Sequence, residues 1–159
     1  YTISSMTKHI PHWLSIGILI VAFLGFLDSS FLTAEHYLGM TPPCFIVQGC
    51  DVVTTSSYSK ILGVPVSLLG ALFYLSMLIL GMYFVDTQKS IALTLMHIGT
   101  TIGLCMSVWF VYVQAFILKS WCLYCLLSAG TSTLLFVLAF IAYHKVWPDN
   151  APSDVYVLK

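Results

Sequence analysis

Four nearly unbroken apolar runs organise the chain, at residues 13–34, 66–85, 91–118 and 121–143, with polar residues gathered between and beyond them. Each is long enough to cross roughly 30 Å of hydrocarbon, which takes about 20 helical residues. Leu, Ile, Phe and Val dominate without the period-two alternation of a membrane strand, so the runs read as helices. The expected fold is an all-α membrane protein, a four-transmembrane-helix bundle with a long external loop between helices 1 and 2. On this reading residues 1–147 form the membrane domain. Residues 148–159, with Pro148, Asn150, Pro152 and Ser153, form a C-terminal tail or truncated linker.

Four spans place both termini and the second connection on one side, and the first and third connections on the other. The loop from Glu35 to Pro65 therefore faces the same compartment as the Lys119–Trp121 junction ahead of the last run. Loops beyond about 12–15 residues are usually functional or disordered. Here Pro42-Pro43 and Gly49 stiffen and turn the backbone around Cys44 and Cys50. Val52 to Leu62, apolar at Val52, Val53, Ile61 and Leu62, is expected to form a short interfacial helix.

Composition agrees with a membrane protein. Hydrophobic residues make up 59% of the 159, charged residues 8%, and mean hydropathy is +0.96. Six Lys balance six acids and there is no Arg, which argues against nucleic-acid binding through a basic surface. Lys8, Lys89, Lys145 and Lys159 fall on the terminal side, against Lys60 and Lys119 opposite. That bias points to both termini inside, with the cysteine face periplasmic or otherwise oxidising. Tyr1 in place of Met suggests processing or trimming, and the first run lacks the cleavage site of a signal peptide.

The candidate chemistry lies in the cysteines. Cys122 and Cys125 form a C-x-x-C pair at the start of the last helix, where the helix dipole favours a thiolate. In such a pair one thiolate attacks a disulfide and its neighbour resolves the mixed intermediate. Two other readings stand beside this one: buried cysteines serving as small apolar residues, and a zinc site built from Cys44, Cys50, Cys122 and Cys125. Cys44 and Cys50 alone would suit a structural staple, but on the same face as the C-x-x-C they suit a relay. Cys105, deep in the third run, is expected to serve packing.

Further motifs surround these cysteines. Asp28-Ser29-Ser30-Phe31-Leu32-Thr33-Ala34-Glu35-His36-Tyr37 closes the first run, and Gly63-Val64-Pro65-Val66-Ser67-Leu68-Leu69-Gly70 enters the second. Trp121-Cys122-Leu123-Tyr124-Cys125 opens the fourth. Together with Cys44-x5-Cys50, these resemble the vitamin K epoxide reductase family in its bacterial form, over nearly the whole chain. Other four-helix quinone-linked thiol oxidases carry C-x-x-C in the first external loop instead.

The resemblance implies a four-helix bundle around a quinone that oxidises a thioredoxin-like partner in the bacterial inner membrane. It implies that Cys44 meets the partner's dithiol, that Cys50 exchanges with Cys122, and that Cys125 lies beside the quinone ring. A separate periplasmic partner is expected, because the chain ends soon after the fourth run. Animal members carry Tyr where this chain has Ala129, and Asn where it has Val66, followed by Ser67. Those animal residues are associated with the vitamin K head group, so Ser67 and Ala129 are cofactor-binding candidates. The two departures, Ala129 and Val66, point away from epoxide reduction and anticoagulant binding. An ordinary quinone, ubiquinone or menaquinone, is favoured within a class that includes vitamin K types.

Other residues have a functional and a structural reading. Asp28, an acid well inside a span, is a candidate proton relay or a partner for a neighbouring helix. Glu35 and His36 read as interfacial anchors, and His97 as a core histidine or a proton carrier. The small residues Ser128 to Thr133 permit close helix packing and leave room for a flat ring beside Cys125. Phe73, Tyr74, Phe110 and Gln114 are candidates for lining that space. The function expected is a quinone-dependent thiol oxidase supporting disulfide formation. The alternative is a polytopic binding or transport protein with structural disulfides.

Overall fold

The computed structural model describes residues 10–43 and 49–146. Four of its helices are long and apolar enough to cross a membrane: α1 (His12–Leu38), α3 (Val66–Thr87), α4 (Ser90–Tyr112) with its π-helical continuation (Val113–Leu118), and α5 (Leu123–Val146). Between α1 and α3 lie a short helix α2 (Cys50–Thr55), a 3-10 turn (Ser57–Ser59) and a hairpin of β1 (Lys60–Ile61) and β2 (Val64–Pro65). The hairpin is antiparallel, pairing Lys60 with Pro65 and Ile61 with Val64.

Packing follows a ring. α1 lies against α3 and α5, α5 against α4, and α4 closes on α3 through the slightest of these interfaces. Leu14, Ile18, Ala22, Met77, Leu93, Met96 and Leu135 fill the centre. Ile16, Ile20, Phe23, Leu72, Ile79, Ile98 and Ile102 point outward and are more than half exposed. A surface so apolar on all sides suits lipid, where the helix satisfies its own backbone and the side chains meet hydrocarbon.

The elements differ from the sequence-based expectation at their ends, each for a local reason. α1 runs to Leu38 rather than 34 because Gly39, at φ +67°, supplies the left-handed cap: its N–H and that of Met40 return to the carbonyls of His36 and Glu35. The third run divides at Val113, where the helix widens. The fourth helix starts at Leu123 rather than 121, since Cys122 is its cap. The helix expected over Val52–Leu62 stops at Thr55. Leu62 and Gly63 then take φ +53° and +84°, a two-residue hairpin turn that no helix could continue through.

Two interior assignments also change. Cys105 does not pack in the core; it is exposed on the outer face of α4 beside Ile102, Met106 and Trp109. His97 is packed but not satisfied. Its ring stacks on Tyr143 of α5 at 4.8 Å and 15°, with Phe136 at 5.9 Å, while Nδ1 has no hydrogen-bond partner among the described residues. It lies far from the C-x-x-C, since Tyr143 is about five helical turns along α5 from Cys125.

Candidate active site

The C-x-x-C is built around the start of α5. Cys122 is fully buried and stands at the cap position, its carbonyl accepting the first helical bond from Leu126 N–H at 3.0 Å. Its sulfur accepts from the Cys125 backbone N–H at 3.4 Å, the bond an Asp or Ser side chain makes at a conventional N-cap. The Cys125 side chain donates to the Cys122 sulfur. That bond, with backbone N–H groups of Cys125 and Tyr124, holds the Cys122 thiol below its ordinary pKa against the opposing effects of burial and the Asp28 charge. Cys105, Cys122 and Cys125 are free thiols, whereas Cys50 is in a disulfide.

The turn leading into Cys122 folds around one residue, Gln114. Its main-chain carbonyl accepts from the N–H groups of Lys119 and Ser120, and its side-chain Oε1 accepts from Cys122 N–H at 2.9 Å. Nε2 donates weakly to the Phe110 carbonyl at 3.5 Å. The π-helical widening over Val113–Leu118 and the left-handed Lys119, at φ +50°, belong to the same turn. Such widened turns are frequent at functional positions.

The segment between α1 and α3 is held against this turn. Cys44 lies outside the described residues, but its neighbour Pro43 accepts a hydrogen bond from the Tyr124 hydroxyl at 3.2 Å. The Tyr124 ring packs on Phe31 of α1, 5.3 Å between centroids. Cys50, buried at the start of α2, follows Gly49, whose φ of +133° and close approach both require glycine. A Cβ there would stand 3.1 Å from Ser120 Cβ and 3.3 Å from the Trp121 backbone. The Cys50 segment thus rests on the two residues ahead of Cys122.

Beyond Cys122 a cavity of about 280 Å³ opens between α3, α4 and α5. Cys125 is on its wall, and so are the five residues expected to hold a cofactor: Ser67, Phe73, Phe110, Gln114 and Ala129. His36, expected at an exposed interface, lines it with Val53, Tyr58 and Ile61, which roof it from the α1–α3 segment. The wall is mostly apolar, and Ser132 Oγ on it is buried without a hydrogen-bond partner among the described residues. A flat apolar ring carrying a carbonyl acceptor fits that combination, because the ring takes the apolar wall and the carbonyl takes the orphaned hydroxyl. Asp28 is not on the wall. It is half-buried one residue from Ser29, which is, and its Oδ2 has no partner among the described residues.

The sequence model of the vitamin K epoxide reductase family matches residues 16–140, a stretch reaching from within α1 to within α5 and holding both halves of this site. The chain belongs to that family. Comparison with the curated proteins finds no match. As a family member with four membrane-crossing helices, it is an integral membrane oxidoreductase.

Two features of this vitamin K epoxide reductase family protein escaped sequence reasoning. Gln114 was expected at the cavity, where it is, but its bond to Cys122 joins residues eight apart across a turn whose shape no pattern announces. Gly103 lines the cavity and lets the Phe73 ring of α3 lie against α4, where a Cβ would meet the ring at 2.7 Å. Its isolated place in an apolar helix was the only available signal. Among the described residues, no three His, Cys, Asp or Glu gather as a metal site requires.

Proposed function

We propose that this protein is a quinone-dependent thiol oxidase. It takes electrons from a separate thioredoxin-like dithiol through Cys44 and Cys50, passes them to Cys122 and Cys125, and delivers them to membrane ubiquinone or menaquinone. The observation that carries this reading is that one C-x-x-C faces two ways. Cys122 sits behind the turn on which the Cys50 segment rests, and Cys125 opens on an apolar cavity.

The chemistry balances within the chain's own sulfurs. The partner's dithiol reduces the loop disulfide by exchange and leaves as a disulfide. The Cys50 thiolate then attacks the Cys122 sulfur of a Cys122–Cys125 disulfide, freeing the Cys125 thiolate. Cys44 next attacks Cys50, which restores the loop disulfide and releases Cys122 as a thiolate. Protonation gives a dithiol, whose reoxidation gives up two electrons and two protons. A bound quinone supplies the acceptor for both. Ser67, Phe73, Phe110, Gln114 and Ala129 would hold its ring, and Asp28, in electrostatic reach of Cys122, would carry protons.

The lysine bias supports placing both termini in the cytoplasm of a bacterial inner membrane, with the α1–α3 segment and the C-x-x-C at the periplasmic face. Anaerobic quinone reduction by a reduced thioredoxin-like donor tests the proposal. Purified protein should turn over with the donor, and Cys125→Ala should lose at least a thousandfold while still folding. Equal activity in that variant would remove the reading.

A further inference from the structure

We propose that Gln114 is a positioning residue that makes Cys122 a good leaving thiolate in the exchange with the loop cysteines by holding its backbone in the cap geometry. The inference rests on the thiol-oxidase reading, in that it takes Cys122 to be an exchanging sulfur.

A helix start leaves several N–H groups without intrahelical partners. In a capping box the cap side chain serves the third helical N–H, while an acid or amide at that third position reaches back to the cap's own N–H. Here the first half is present, Cys125 N–H to Cys122 sulfur at 3.4 Å. The second half cannot be, because the third helical position is itself a cysteine. Gln114, from the preceding π-helix, supplies it: Oε1 accepts Cys122 N–H at 2.9 Å. Gln114 is only 2% exposed, so its amide is withdrawn from bulk solvent.

The consequence is chemical. The groups that favour a Cys122 thiolate, the Cys125 side chain and the N–H groups of Cys125 and Tyr124, act only while the sulfur points into the first turn. With Cys122 N–H pinned, the residue's φ and ψ are fixed and the sulfur stays there. Without the acceptor, the buried N–H seeks another partner and the cap rotates. The titratable groups acting on Cys122 are the Cys125 thiol on its own helix and the Asp28 carboxylate from α1. Cys50, on α2, is disulfide-bonded and does not titrate.

The test is direct titration of Cys122, beside the rate of donor-driven exchange, in Gln114→Met, which keeps length but loses the acceptor, and in Gln114→Asn, which keeps the amide but falls short of Cys122. Both are made in a Cys105→Ser background so that direct thiolate titration reads the active-site pair. Each folded variant should exchange more slowly than the parent, roughly three- to tenfold for a shift of one unit, because a leaving thiol of higher pKa departs more slowly. Cys122 should titrate correspondingly higher. A purely structural role would lower the rate and leave the Cys122 titration where it is in the parent; that result, in either folded variant, overturns the proposal. Failure of the thiol-oxidase reading looks different: Cys122→Ser would still reduce quinone from the donor.

Discussion

Gly25 of α1 lies directly under the ring of Tyr74 of α3, so close that a methyl group at Gly25 would overlap the aromatic carbons. That contact lets the ring cross the bundle and reach α5, where its hydroxyl donates to the Ser128 carbonyl at 2.8 Å and sits 2.8 Å from Thr131 Oγ1. Tyr74 is almost wholly buried and forms part of the cavity wall. Gly25→Ala should therefore destabilise the protein by about 1–3 kcal/mol, the usual cost of overfilling a packed interior. Denaturation in detergent micelles would show it as an earlier transition, and an unchanged midpoint would contradict this packing.

Tyr74→Phe keeps the ring and removes the hydroxyl. Stability should fall by about 1 kcal/mol, the net worth of a buried neutral hydrogen bond. The Cys122–Cys125 pair should remain fully oxidisable, as counted by thiol alkylation before and after quinone. Loss of thiol oxidation would mean that the hydroxyl has a part in the chemistry.

Gly49→Ala should affect one step of the route. It places a Cβ against Ser120 and Trp121 at a backbone angle that L-residues avoid, so the Cys50 segment must lift from the turn. Donor-driven turnover should fall roughly 10- to 100-fold, the usual cost of ångström-scale misplacement. Single-turnover oxidation of the prereduced Cys122–Cys125 pair should keep its rate. An equal loss in both assays would argue against the two-sided arrangement.

Cys125→Ala should trap an intermediate. With its resolving partner gone, Cys122 attacks the loop disulfide at Cys50 and stays joined to it, leaving Cys44 as a thiol. Peptide mass spectrometry under non-reducing conditions should find the Cys50–Cys122 link as the main adduct. Its absence, in folded protein, would place the loop cysteines outside the route.

Folding lowers the Cys122 thiol below its ordinary 9.0, so the thiolate favours the folded, reduced protein. That stabilisation is complete above about pH 9 and is lost as pH falls through the lowered folded value. The gap in melting temperature between reduced wild type and Cys122→Ser should therefore widen from acid pH up to about pH 9. A constant gap would mean that the thiolate gains nothing from the cap.

Much of this was legible in the chain because it depends on residue type and spacing alone. Long apolar runs must become helices when no water can serve the backbone, so α1, α3, α4 and α5 were evident to within a few residues. With four spans, parity alone assigned Cys50 and Cys122 to one end. The pairs themselves, C-x5-C and C-x-x-C, stood out in an otherwise apolar sequence. The α2–hairpin segment was less legible, since Ile61 and Leu62 suit an interfacial helix and a hairpin equally until Gly63 turns the backbone.

The sequence by itself determined the membrane class, the number of spans and the sulfurs available for exchange, because hydrophobicity and cysteine spacing are local properties. Only the tertiary structure decided which way Cys122 and Cys125 face. The Gly49 approach to Ser120, the Gln114 bond to Cys122 and the space beside Cys125 and Ser132 arise where helices meet. Such distances come from the packing of whole helices, and no neighbouring residue encodes them.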